Sequence, residues 1–437
     1  MNYSTEVKNK LFSIIKEMNS FYWLFTKNPD KDFSRKKKWS FEEIINFMLS
    51  MEGKSLKDEL LEYFDFDNLT PSNSSFNQRR AQILPEAFEF LFHEFTNSFQ
   101  VNYSNYKGYR LIACDGSDLS IAHNPNDKTT YFQSTPESKG FNQLHLNAFY
   151  DICNRVYVDA IIQPAREENE KRAMCDLIDR YNGVPAIFMA DRGYENYNIF
   201  AHTEEKEMYY LIRAKDINST GILSGLTLPE TSEFDVWKSI ILTKKQTIEV
   251  KANKEKYKFV PSSSTFDYLD LHTNKFYDLN MRIVRFPITE NTYECIITNL
   301  PQDKFSASEI KCLYQKRWGI ETSFRELKYA IGLTRFHSKK IEYLMQEVWS
   351  RMILYNFCEI ITCAVAVVKN ESRKHIYQLN YTRAIHICRH FLSIKKEKAP
   401  PDVEYLIGHE LLPVRTGRSD PRKVKHQSAI SFLYRAA

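Results

Sequence analysis

Tyr314, Arg317, Glu321 and Lys328 put a phenol, two cations and a carboxylate into one short segment. Counted at about 100° per residue of helix, the four fall within roughly a 60° sector. A second stripe, Leu313, Ile320, Phe324, Leu327 and Ile331, lies beside them as a core-facing seam. Exposed helices usually spread their charges and pair them at i,i+4. Crowding them on one side predicts a single polyanionic target. Two aspartates lie far upstream in matching contexts. Each follows a hydrophobic strand pattern and precedes a glycine-containing turn: residues 109–114 then Asp115-Gly116-Ser117, and residues 185–190 then Asp191-Arg192-Gly193. On adjacent strands the two carboxylates would meet at one sheet edge, where they repel unless a cation sits between them. Oxygen-only ligands suit Mg²⁺ or Mn²⁺. Glu321, on a helix returning across that edge, would supply a third carboxylate. Three carboxylates with open metal positions fit two ions about 3.5–4 Å apart, activating water against a phosphodiester.

Each piece has a plainer reading. Asp-Gly-Ser is most often a turn former, and Glu321 alone reads as a surface acid. The conjunction carries the expectation. Glu326 is an alternative third acid, but it points roughly 140° away from Glu321 around the helix. Asp118 reads as an ordinary turn residue ahead of a second acid near Asp115. Trp318, about 40° from Tyr314, fits core packing better than stacking on an exposed base. His145 reads as a satisfied strand histidine. Arg192 could pair with a carboxylate or touch DNA, and the sequence does not separate the two.

The elements that must position these groups show as changes of texture. Residues 1–100 carry helix periodicity at 41–49 and 55–64, then a turn and cap at Pro71-Ser72-Asn73-Ser74 opening a further helix at 75–80. A helix-turn-helix-like DNA reader and a plain helical bundle fit that pattern equally. From residue 108 the order is strand, strand (144–152), strand (155–162), helix (167–181), strand (185–190), helix (198–207) and strand (209–214). That order predicts an α/β sheet with antiparallel and parallel portions. Residues 217–305 break the rhythm with short β-rich runs at 240–242, 247–250, 257–260, 281–286 and 293–298, and read as a β insertion. Helix resumes at 306, runs to about 331, and returns at 340–369 with shorter helices towards 396.

The 437 residues, 43% of them hydrophobic, are enough for a large core in two or three domains. The most apolar run, residues 352–368, contains Asn356 and Glu359 and is too short to span a bilayer, so it reads as a buried helix. Residues 1–22 carry scattered Lys and Glu and no apolar signal region, and the eight cysteines lack zinc spacing. Both point to a reducing cytoplasm. The net charge is +5. From 415 to 437, six basic residues (Arg415, Arg418, Arg422, Lys423, Lys425, Arg435) face one acid, Asp420, so the rest of the chain sums to zero. A second cluster is Arg35-Lys36-Lys37-Lys38. Basic ends on a neutral body suit a polyanion, although a charge run alone is more often a solvated tail.

The chain resembles the DDE transposases of the bacterial insertion-sequence-4 group. The carrying residues are Asp115-Gly116-Ser117, Asp191-Arg192-Gly193-Tyr194, and Tyr314-x2-Arg317-x3-Glu321-x6-Lys328, which matches the group's Tyr-Arg-Glu-Lys signature without a gap. The stretch 146–151 and the tail 413–425 look similar too, so the resemblance covers about residues 70–430. It implies a ribonuclease H-like α/β catalytic domain (106–216 and 306–335) with the β-rich insertion at 217–305. Helical regions would flank it at 1–105 and 336–410, followed by a basic tail at 411–437. It also implies cut-and-paste DNA transposition. A metal-activated water nicks the element end, and the freed 3′-hydroxyl attacks the opposite strand, often through a hairpin, and later the target DNA. By this resemblance Asp115, Asp191 and Glu321 bind two Mg²⁺ ions, with Mn²⁺ able to substitute. Tyr314, Arg317 and Lys328 contact terminal phosphates, as their chemistry also suggests. Arg415, Arg418, Arg422, Lys423 and Lys425 would bind DNA by counterion release. Paired ends imply a homodimer on DNA, in the cytoplasm at the nucleoid, with no membrane role. Two other readings compete: a transposase-derived DNA-binding protein that no longer cleaves, and a general ribonuclease H-like nuclease.

Overall fold

The first hundred residues fold as helices because their apolar residues recur on one side and their starts are capped. They form α1 (Tyr3–Ser20), α2 (Phe41–Ser50), α3 (Leu56–Tyr63), α4 (Asn73–Arg80) and α5 (Glu86–Asn97). Ser40, Ser55 and Ser72 each accept the backbone N–H three residues on, and Glu43 closes a capping box with Ser40. The computed structural model describes residues 2–35, 37–271, 275–290, 292–366, 377–394 and 400–414.

The sheet follows: β1 (Arg110–Ile121), β2 (Tyr131–Phe132), β3 (Phe141–Asp151), β4 (Val156–Pro164), α6 (Glu170–Arg180), β5 (Ala186–Ala190), α7 (Tyr197–Glu205) and β6 (Tyr209–Ala214). Strands β1, β3 and β4 are antiparallel neighbours. β5 joins β1 in parallel, and β6 joins β5 in parallel. The β-rich stretch supplies β7 (Phe234–Thr243), α8 (Ile248–Ala252), β8 (Tyr257–Phe259), β9 (Tyr277–Thr289) and β10 (Thr292–Thr298). These strands do not fold back on themselves alone. β10 pairs antiparallel with β6, so β1 to β10 make one sheet in the order β2-β3-β1-β5-β6-β10-β9-β7-β8, with β4 also on β3; β11 (Tyr377–Leu379) and β12 (Leu411–Pro413) form a separate pair.

Alternation along β1 and β3 sends side chains to two covering layers. Ala113, Leu119, Ile121, Leu144 and Leu146 pack with α1, α2, α5 and the long α11 (Ile341–Cys363), together with α12 (Tyr381–Ser393) and α13 (Val403–His409). Ile112, Cys114 and Phe149 face α6 and α7 on the other side. N-terminal and C-terminal helices thus share one core. α11 is buried around its whole circumference at its centre, as the run at 352–368 suggested for the part up to Cys363 (residues 367 and 368 lie outside the described residues), and Asn356 there is fully hydrogen-bonded. Asn356 accepts from Tyr157 N at 2.8 Å and donates to Tyr157 O and Thr96 Oγ1, each at 2.8 Å. Arg79 and Arg80 end the segment read as a possible DNA-reading helix. Both are buried instead. Arg79 donates to Trp39 O, and Arg80 to Gln346 and Glu347 of α11. Arg80 also forms an ion pair with Glu347 at 2.9 Å, so both guanidinium groups are engaged within the fold.

Three local expectations fail. Asp115-Gly116-Ser117 does not stop β1: long β3 keeps pairing with it as far as Ile121 opposite Asn142, so the backbone stays satisfied through the glycine. Residues 247–250 begin α8 rather than a strand, because Thr247 caps the turn by accepting from Val250 N. The helix expected over 306–331 is broken into α9 (Ala307–Lys316), α10 (Gly319–Arg325) and a π-helical turn at Glu326–Ala330.

Candidate active site

The parallel ladder between β1 and β5 sets the geometry of the two aspartates. It ends with Ala113 opposite Met189, and Asp115 and Asp191 each come two residues later. Both therefore lie just past the same end of the β1–β5 ladder, Asp115 still within β1 and Asp191 after β5. Asp115 is half-buried, and its Oδ1 accepts from Gly116 N at 2.9 Å. Asp191 caps a single 3₁₀ turn, Arg192–Tyr194, its Oδ1 accepting from Gly193 N at 2.7 Å.

α10 packs across β1 on the face that Ala113 and Asp115 share, and brings Glu321 to the same edge. Arg317, at the break between α9 and α10, ties the acids together. Its Nη2 lies 2.9 Å from Glu321 Oε1, and its Nη1 lies 3.7 Å from Asp115 Oδ2. Burial pushes the Asp115 carboxyl up to about 6. Arg317 and the Gly116 N–H oppose that, while Asp191 and Glu321 add repulsion. Three carboxylates of this kind, one desolvated and pressed by two like charges, are a donor set that a hard divalent cation fits. The acids do not themselves converge on one point. Among the described residues, the ligand atoms gathered within 4.8 Å of one another are those of Asp118, His145 and Glu168.

Beside the acids lies a pair of buried donors without partners. Arg317 is 4% exposed and Tyr314 3% exposed. Arg317 Nε and Nη1 and the Tyr314 hydroxyl make no hydrogen bond among the described residues. Burial raises the Tyr314 phenol to about 12, so it stays protonated and able to donate. Unpaired buried donors cost about 1–3 kcal/mol each, and an anion seated here would satisfy all three.

The other expected residues fall as follows. Lys328 reaches the edge through the π-helical turn and donates to Asp118 O at 2.7 Å; burial lowers its ammonium pKa. Glu326 faces away, held by Arg155 Nη2 at 2.8 Å and by the Tyr355 hydroxyl at 3.0 Å. Trp318 is 48% exposed, not in the core: the helix breaks at Arg317 and turns the indole out of the apolar seam, 5.2 Å from the Arg317 guanidinium. Asp118 is not a turn residue. It lies within β1 and accepts from His145 Nδ1 at 2.8 Å. His145 is indeed a partnered strand histidine. Burial opposes its charge, but the hydrogen bond to Asp118 and the nearby carboxylates of Glu170 and Glu168 outweigh this and lift it to about 9. Arg192 is exposed and forms no ion pair among the described residues. Arg415, Arg418, Arg422, Lys423 and Lys425 lie outside the described residues.

Two neighbours escaped the sequence reading. Glu168 and Glu170 flank Asn169, the cap of α6. In sequence they pass for the acids that favour any helix start. Only the pairing of β3 with β1, which sets His145 opposite Asp118, shows that they gather round His145 close to Gly116.

No curated protein matches the chain. The fold is similar to that of the piggyBac transposase in its synaptic complex with hairpin DNA, solved by cryo-EM (TM-score 0.46, 11% identity, covering 95% of this chain and 87% of that one). No helix among the described residues is long and apolar enough to cross a membrane. A family model described as a transposase DDE domain matches residues 106–357, more than half of the sequence and a span that holds Asp115, Asp191 and the whole segment from Tyr314 to Lys328. The chain belongs to the DDE transposase domain family.

Proposed function

We propose that this chain is a cut-and-paste DNA transposase of the insertion-sequence-4 group, which nicks element ends and transfers the freed 3′-hydroxyl. The observation that carries the reading is the unsatisfied, buried pair Arg317 and Tyr314 beside Asp115 and Glu321. It suits a phosphodiester held against a metal centre. A ribonuclease H-like core at 106–216 and 306–335 is supported by the strand order β4-β3-β1-β5-β6, with its antiparallel and parallel halves. Residues 217–305 are the insertion, 1–105 and 336–410 the flanking helices, and 411–437 the basic tail.

In this reading Asp115, Asp191 and Glu321 would hold Mg²⁺ or Mn²⁺ as a two-ion site. When bound, the ions supply Lewis-acid activation of water or of a 3′-hydroxyl and neutralise charge on the phosphate. Tyr314 donates its hydroxyl to one non-bridging oxygen. Arg317 gives Nη1 and Nε, neither of which makes a hydrogen bond among the described residues, to another, while Nη2 keeps Glu321 oriented. Lys328 adds a cation at the flank. Trp318, exposed beside Arg317, offers a ring on which an unpaired base stacks. Arg415, Arg418, Arg422, Lys423 and Lys425 bind flanking phosphates, and two copies hold the two ends.

The test is cleavage of the inverted-repeat ends flanking the gene, with Mg²⁺, by the wild-type chain and by Asp115→Asn, Asp191→Asn and Glu321→Gln. The wild type nicks at the repeat ends and the variants do not. Full cleavage by Glu321→Gln, or equal degradation of any duplex, overturns the reading.

A further inference from the structure

We infer that Glu170 is a fourth carboxylate of the metal centre, held there by His145. This rests on the reading of Asp115, Asp191 and Glu321 as metal ligands and extends it to the opposite layer of the fold. Glu170 is the first residue of α6, on the face of the sheet away from α10. Its reach toward the aspartates is measured by the two glycines that follow them. A Cβ on Gly116 would stand 2.4 Å from Glu170 Oε1 and 2.3 Å from His145 Nε2. A Cβ there would push the ends of both side chains aside, so the glycine next to Asp115 lets this pair close on the strand. A Cβ on Gly193 would stand 3.0 Å from Asp191 Oδ1 and 4.0 Å from Glu170 Oε2. Taken together, those distances leave the two oxygens no more than about 7 Å apart, within the roughly 8 Å that two ions about 3.5–4 Å apart span with oxygen ligands at about 2.1 Å.

The surroundings of Glu170 set one oxygen and leave the other open. Oε1 lies 3.2 Å from His145 Nε2. His145 is 5% exposed, and its Nε2 has no well-aligned hydrogen bond, although it is aimed at that carboxylate. Nδ1 of the same ring is anchored by Asp118 at 2.8 Å and Glu168 at 3.1 Å. Glu170 Oε2 accepts no hydrogen bond among the described residues and points to the end of β5. A glutamate serving only to neutralise His145 would be redundant, since two carboxylates already do so. His145 is accordingly a positioning residue: it fixes the rotamer that presents Oε2, as second partners of metal ligands commonly do.

The experiment is Mn²⁺ binding to the full chain, followed by the paramagnetic resonance signal of free Mn²⁺ and by Fe²⁺-driven backbone cleavage around the bound ion. Glu170→Gln is expected to weaken Mn²⁺ by at least about tenfold and to reduce cleavage near Gly193, while Glu168→Gln stays within about twofold. Asp115→Asn should lose binding altogether. If Asp115→Asn loses Mn²⁺ but Glu170→Gln binds as the wild type does, the fourth ligand is refuted and the three-acid centre stands. If Asp115→Asn also binds normally, the three-acid reading itself falls. If Glu168→Gln weakens Mn²⁺ as much as Glu170→Gln, the site lies around His145 and the inference is overturned. Should Glu170→Gln fold poorly, Glu170→Asp, which keeps the charge on a shorter arm, is expected to bind Mn²⁺ at an intermediate strength. Wild-type affinity in that variant also counts against a ligand role.

Discussion

Replacing Glu326 by Gln separates the two acids that compete for the third position, because their surroundings predict opposite outcomes. Both Glu326 oxygens take Arg155 Nη2, at 3.0 and 2.8 Å, and Oε2 also accepts from the fully buried Tyr355 hydroxyl at 3.0 Å. The side chains of Glu326 and Arg155 are only 14% and 20% exposed. Charged hydrogen bonds contribute about 1.5–3 kcal/mol each, and breaking a buried pair from one side costs about 3–5 kcal/mol. Two facts pull the figure down. Arg155 keeps Glu359 at 2.7 Å. Glu359, which burial pushes up to about 7 against the pull of Arg155, is relieved of Glu326's repulsion. Glu326→Gln should therefore destabilise the fold by about 2–3 kcal/mol, read as a lower urea midpoint, while still nicking DNA under folding conditions. Glu321→Gln should do the reverse. Its partner Arg317 holds it through one ion pair and its side chain is 31% exposed, so the stability change stays below about 1 kcal/mol. Nicking should disappear. Loss of nicking in Glu326→Gln with an unchanged urea midpoint would refute the reasoning and make Glu326 the metal ligand.

Tyr314→Phe should stabilise the fold by about 1–3 kcal/mol, because it removes a buried hydroxyl that has no partner, yet slow nicking by at least about tenfold; equal rates in a single-turnover assay would remove Tyr314 from the site. Metal affinity should fall as pH drops below about 6, because the Asp115 carboxyl, raised mainly by burial, then takes a proton that Mn²⁺ must displace. Mn²⁺ titrations at pH 5 and 7 check this, and equal affinities would contradict it. The buried Glu347 is held down to about 2, with Arg80 and His337 overcoming the burial that opposes its charge. A depressed carboxylate contributes stability that is present above its unfolded value near 4.5 and is lost as pH falls towards 2. Urea midpoints should thus fall across that window, and less steeply in Glu347→Gln. A chain ending at Leu412 should show a flatter salt dependence of DNA binding, by about 0.9 in slope per lost phosphate contact; an unchanged slope removes the tail from the interface.

Much of the sheet was legible because its strands are hydrophobic on both faces and its helices begin at polar caps. β6 falls where the pattern put it, and β5 and α6 differ only at their ends. What the pattern could not show is pairing. The full length of β1 depends on β3 continuing beside it past Gly116, and no property of residues 115–121 alone announces a partner. The same blindness hid Glu170. Its distance from the aspartates is set by the packing of α6 on the sheet, while its sequence context says only that a helix begins.

The helix that carries Glu321 shows how an angular count can succeed on a wrong premise. The count assumed unbroken α-helix from Tyr314 to Lys328, and the chain instead breaks at Arg317 and widens at Glu326. The separation of Glu321 from Glu326 survives because Glu321 lies within α10 and Glu326 directly follows it with helical backbone angles, so rotation per residue between them is ordinary. Trp318 lies at the break, so its reading failed. Lys328 lies within the second irregularity. It still reaches the β1 edge because the π-helical turn lets Ile331 N bond to Glu326 O and carries residues 327–330 round together. Irregular backbone of this kind collects where function sets the geometry. Here it turns Arg317 inward onto two carboxylates and Trp318 outward beside them, an arrangement that a straight helix with the same sequence would not produce.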